Sequence, residues 1–87
     1  GEPVAVFLRC HKMILNDVID QFGQEIILQE TKGSDYFIAR IYSTETGIMY
    51  YAMQYALYCE ILEPSELRER VRNNLRKALS VYEKDKA

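Results

Sequence analysis

Few side chains in this sequence carry reactive chemistry. Cys10 and His11 are neighbours, and Cys59 lies far downstream. Two thiols and an imidazole, if folding gathers them, are the raw material of a metal or redox site. A structural zinc site takes four ligands, however, and no fourth is evident. Against that stands the plainer reading of two small core hydrophobes and a strand-end histidine. His11 has no evident set of nucleophile and orienting carboxylate around it, so hydrolytic triad chemistry has no support. The carboxylates Asp17, Asp20, Glu25, Glu30, Glu60 and Glu63 are spread singly, with no Asp-x-Asp cluster for metal-assisted chemistry. Glycines 1, 23, 33 and 47 are isolated, so there is no phosphate-cradling loop. The expectation is a protein without catalytic, metal or cofactor residues.

A second set points to binding. Phe7, Arg9, Tyr36, Arg40 and Tyr42 combine flat aromatic surface with two guanidinium groups, which suits base stacking and phosphate pairing. The net charge of −2 weighs against phosphate neutralisation as the main source of affinity. Among the seven tyrosines, Tyr50 and Tyr58 fall off the apolar stripe of their segment. These two are interface candidates, because tyrosine joins apolar area to a polar tip.

The elements that must position these residues follow from periodicity. The chain has 87 residues, 48% apolar and 28% charged, the usage of one small globular domain. Residues 4–10 are rich in β-formers and read as a strand. Leu15, Val18, Ile19 and Phe22 recur at helical spacing before Gly23, so a helix is predicted over 12–22. Strands over 24–32 and 35–43, joined by Lys32-Gly33-Ser34-Asp35, read as a β-hairpin. Ser43 to Thr46 offer N-caps to a helix over 46–55, with Ile48, Tyr51, Ala52 and Tyr55 on one face. A last strand over 57–62 and a helix over 64–83 complete the order β-α-β-β-α-β-α.

That order in so short a chain predicts an α+β, ferredoxin-like antiparallel sheet of order 4-1-3-2, with two helices on one face. Val4, Val6 and Leu8 with Phe37, Ala39 and Ile41 then face the helices. Phe7, Arg9, Tyr36, Ile38, Arg40 and Tyr42 share the outer face. So apolar a face needs a cover, whether the last helix, a partner chain or a ligand. The last helix also needs a seat. Pro64 suits its first turn, and Leu67, Val71, Leu75, Ala78, Leu79 and Tyr82 form one apolar stripe. Leu67, Val71 and Leu75 are the expected docking residues. In a 4-1-3-2 sheet, Cys10, His11 and Cys59 come close together.

The Val6-Phe7-Leu8-Arg9 strand, Gln21-Phe22-Gly23, and the run from Glu60 through Pro64-Ser65-Glu66-Leu67 to Val71 together resemble a known module. It is similar to the C-terminal extension, or WCX domain, of WYL-domain bacterial transcriptional regulators, over nearly the whole chain. The resemblance implies a non-enzymatic dimerisation or regulatory module from the C-terminal part of a longer cytoplasmic regulator. Its expected partners are a second copy of itself and the WYL and winged helix-turn-helix domains of the same full-length chain. The family's ligand contacts lie mainly in the WYL domain, so none transfers here. Nucleic acid is a secondary expectation, and no stretch is long and apolar enough to suggest a membrane partner. The alternative is a stand-alone ferredoxin-like domain binding a small molecule or single-stranded nucleic acid. An acylphosphatase-type enzyme on this fold is disfavoured, since no arginine-bearing phosphate loop follows the first strand.

Overall fold

A computed structural model of the chain describes residues 1–84. It is α+β, with a four-stranded antiparallel sheet and three α-helices. The strands are β1 (Val4–His11), β2 (Ile27–Glu30), β3 (Tyr36–Ser43) and β4 (Cys59–Glu63). The helices are α1 (Leu15–Phe22), α2 (Glu45–Gln54) and α3 (Ser65–Glu83). Hydrogen-bonded neighbours run β2-β3-β1-β4, which from the β4 edge reads 4-1-3-2.

Local chemistry sets the boundaries. His11 Nδ1 accepts from Met13 N at 3.0 Å and opens a short 3-10 turn, Lys12–Ile14, so α1 begins at Leu15 rather than residue 12. Gly23 ends α1 at φ 73 and ψ −150, a region open essentially only to glycine. A second 3-10 turn, Gly23–Glu25, takes up residues expected in β2, which shrinks to four. Between β2 and β3, Gly33 adopts φ 80 and Ser34 N donates to Thr31 O at 3.0 Å, closing the predicted hairpin. Thr44 Oγ1 accepts from Gly47 N at 3.1 Å and starts α2 one residue early. Pro64 has extended backbone and is the N-cap of α3, which starts at Ser65.

Strand alternation divides the sheet cleanly. Val6, Leu8, Cys10, Phe37, Ala39, Ile41, Cys59 and Ile61 form the buried face, against Ile14, Val18, Ile48, Tyr51 and Ala52. The two amphipathic segments meet through a polar contact, in which Tyr51 Oη donates to Asp17 Oδ2 at 2.8 Å. Burial and that carboxylate push the Tyr51 hydroxyl well above its usual range. Phe22 packs edge-on against the same ring, centroids 4.8 Å apart.

The last helix departs from one expectation. Leu67 and Val71 are buried in the same core cluster, so α3 packs beside α2 along the β4 edge, within the helix layer. It does not cover the outer sheet face. Its docking also ends early: Leu75 is already 36% exposed, Leu79 58% and Tyr82 84%. The apolar stripe continues to the end of the helix, but the core beneath it does not.

Candidate ligand and partner interface

Two strands, β1 and β3, place the aromatic and guanidinium residues on one open surface. In the β1–β3 register Phe7 opposes Arg40, Arg9 opposes Ile38, and His11 opposes Tyr36, while Ile27 flanks Arg40 from β2. Phe7, Tyr36, Ile38 and Arg40 are half-buried, and Tyr42 and Ile27 are exposed. The five residues expected to share this face therefore do share it.

Their geometry differs from that of a vacant stacking platform. The Arg9 guanidinium lies 4.0 Å from the Tyr36 ring centroid, and Arg40 lies 5.1 Å from that of Tyr42. Arg40 also donates to the Tyr42 hydroxyl. Each cation thus occupies the aromatic surface on which a base would stack, an internal cation–π contact. His11 meets Tyr36 edge-on at 5.2 Å and tilts toward Tyr58 at 6.1 Å. What remains is a preorganised surface of apolar patches and partly satisfied cations.

One residue that the sequence reading did not single out joins this face to the last helix. Glu60, opposite Arg9 in the β1–β4 register, lies 3.9 Å from Arg9 and accepts from Arg68 of α3 at 2.6 Å. The same Arg68 nitrogen donates to Ile61 O at 2.7 Å, on the free edge of β4. The register between β1 and β4 slips at Phe7/Leu8, so that Leu62 falls between Ile61 and Glu63 without a partner on β1. The sequence signal was present: a carboxylate on the strand beside Arg9, with an arginine one turn into the next helix. Only the register turns it into a contact.

The thiols and the imidazole separate. Cys10 points into the core and His11, the next residue on β1, to the outer face, so the expected gathering of all three fails by alternation. Among the described residues no group of three metal-binding side chains forms. Cys10 and Cys59 do meet, with Sγ atoms 3.8 Å apart. Contact with Cys10 and burial push the Cys59 thiol upward. Tyr50 is 73% exposed and Tyr58 half-buried, so each keeps surface free for a partner.

A groove of about 410 Å³ runs between the β4 edge and α3, with Cys59 and Ile61 on one side and Val71, Arg72, Leu75 and Arg76 on the other. It is the apolar flank left where α3 lifts from the core.

The run from β4 through the start of α3, which shapes both the groove and the Glu60 contacts, lies within the span of a family comparison. A family model described as the WCX domain matches residues 2–79. The chain belongs to the WCX domain family. No curated protein and no solved structure matches it. The match covers every strand and α1, α2 and most of α3 of this WCX domain, ending at Leu79, where the helix is already free of the core. The described residues of the WCX domain contain no helix long and apolar enough to cross a membrane.

Proposed function

We propose that this WCX domain is a non-catalytic regulatory and dimerisation module of a bacterial WYL-type transcriptional regulator, coupling effector sensing to DNA binding by a separate winged helix-turn-helix domain. The observation that carries the reading is the divided character of α3. Leu67 and Val71 root the helix in the core, while Leu75, Leu79 and Tyr82 extend the same stripe into solvent. A helix anchored at one end and apolar at the other is built to join a second surface. A second copy of the chain is the occupant that fits a regulator working through subunit geometry. Glu60 supports the coupling, because it holds Arg9 of the open sheet face and Arg68 of α3 at once. A ligand or neighbouring domain that recruits Arg9 shifts the balance of forces on Glu60 and hence on the root of α3.

The test is solution mass by light scattering across a concentration series. Val71→Asp is unsuitable because Val71 is core and the variant would unfold. Leu79→Asp changes an exposed position and leaves the fold in place. A dimer that Leu79→Asp dissociates, with an unchanged circular dichroism spectrum, supports the reading. A wild-type chain that stays monomeric at every concentration refutes dimerisation through α3.

A further inference from the structure

Cys10 and Cys59 are nucleophilic groups that the regulatory reading leaves unused. Both are free and buried, and they are direct partners across β1 and β4. The type of pairing can be read from the next position along the ladder. His11 N donates to Tyr58 O at 2.8 Å, which makes His11/Tyr58, and two residues on Arg9/Glu60, the hydrogen-bonded positions. Ile61 O accordingly points to the free edge, where Arg68 takes it. Cys10/Cys59 therefore occupies a non-hydrogen-bonded position, where the Cα atoms of an antiparallel pair stand about 4.5 Å apart and side chains approach most closely. Disulfides span Cα separations of roughly 4.4–6.8 Å, so the backbone needs no rearrangement to accept one.

We propose that Cys10 and Cys59 are a disulfide-forming pair, converted by a low-molecular-weight disulfide such as oxidised glutathione into a cross-strand bond that staples β4 to β1. Cys59 is the entry point. It is 7% exposed against 0% for Cys10, and it lines the groove whose α3 wall carries Arg72 and Arg76, which suits an anionic disulfide. The Cys59 thiolate attacks one glutathione sulfur and releases the other as a thiolate. The Cys10 thiolate then attacks the Cys59 sulfur of the mixed disulfide and releases the second glutathione. One S–S bond forms and one breaks. The two protons and two electrons lost by the cysteine thiols leave on two molecules of glutathione.

Burial makes the reaction slow rather than forbidden. A thiol enclosed in the sheet is a poor nucleophile, so thiolate forms when β4, an edge strand with one neighbour, opens locally. Once closed, the bond fixes the strand from which α3 springs, since only Pro64 separates Glu63 from Ser65. Oxidation thus holds the root of the last helix against the sheet.

The experiment equilibrates the 87-residue chain in a series of glutathione redox buffers, once folded and once in concentrated guanidinium. Intact mass after alkylation reports the fraction carrying an intramolecular bond. Because the folded strands hold the sulfurs together, the equilibrium constant for closure is expected to be about tenfold or more larger in the folded chain. Any ratio above one supports the pair, and the oxidised chain then melts at a higher temperature than the reduced one. A ratio of one or below overturns it, as does a folded chain that ends as a mixed disulfide or an intermolecular dimer.

Discussion

The claim that α3 is rooted by its first two turns can be tested by comparing two leucines on one stripe. Leu67 is 0% exposed and Leu79 is 58% exposed. Truncating a fully buried leucine to alanine removes its transfer free energy and leaves a cavity, typically 2–5 kcal/mol together. Taking about 3 kcal/mol for Leu67→Ala, and about 4–8 °C per kcal/mol for a domain of this size, the melting midpoint falls by about 12–24 °C. Small domains hold only on the order of 5–15 kcal/mol in all, so the loss is large enough to be unmistakable. Leu79→Ala lacks a cavity and changes helix propensity little, so its effect should stay within about 0.5 kcal/mol. The assay is urea and thermal unfolding followed by circular dichroism at micromolar concentration, repeated at higher concentration to separate folding from association. If Leu67→Ala costs under about 1 kcal/mol, or if Leu79→Ala costs as much as Leu67→Ala in the dilute samples, the two-turn docking of α3 is wrong.

Two further outcomes follow from local chemistry. The hydroxyl of Tyr51 and the thiol of Cys59 are both held protonated above their ordinary ranges in the folded state. The unfolded chain therefore releases these protons first as pH rises, and the stability these two groups contribute is lost from about pH 9 upward with a slope of at most about 1.4 kcal/mol per pH unit for each group. Tyr51→Phe should remove one of these contributions and flatten the alkaline limb, at a cost near neutrality of about 1 kcal/mol for the lost bond to Asp17; an unchanged limb in pH-dependent urea titrations contradicts the assignment. Gly23→Ala should cost about 1–3 kcal/mol although nothing lies within 4 Å of the added carbon, because φ 73 with ψ −150 is closed to alanine. A neutral effect on the urea midpoint would show that the chain after α1 takes another path.

Residues such as Ile48, Tyr51 and Ala52 were legible because a helix repeats every 3.6 residues whatever it packs on, and Val6, Leu8, Phe37, Ala39 and Ile41 because a strand alternates every two. The same alternation placed Phe7, Arg9, Tyr36, Arg40 and Tyr42 on one face. It also separates His11 from Cys10, since residues adjacent on a strand point to opposite faces of the sheet. The role of Glu60 has no local mark, because its partners, Arg9 and Arg68, come from two other elements.

The strands and α-helices, their order and which side chains share a face all follow from backbone geometry acting over a few residues, and so can be read along the chain. What each face meets depends instead on long-range packing. The stripe of α3 is continuous in sequence, yet the five residues of β4 cover about 17 Å while the nineteen of α3 span about 28 Å, so the core ends before the helix does. Register, not composition, set Cys10 against Cys59 and Glu60 against Arg9. Pairing between strands far apart in the chain is fixed by the packing of the whole sheet, and a local pattern carries no measure of it.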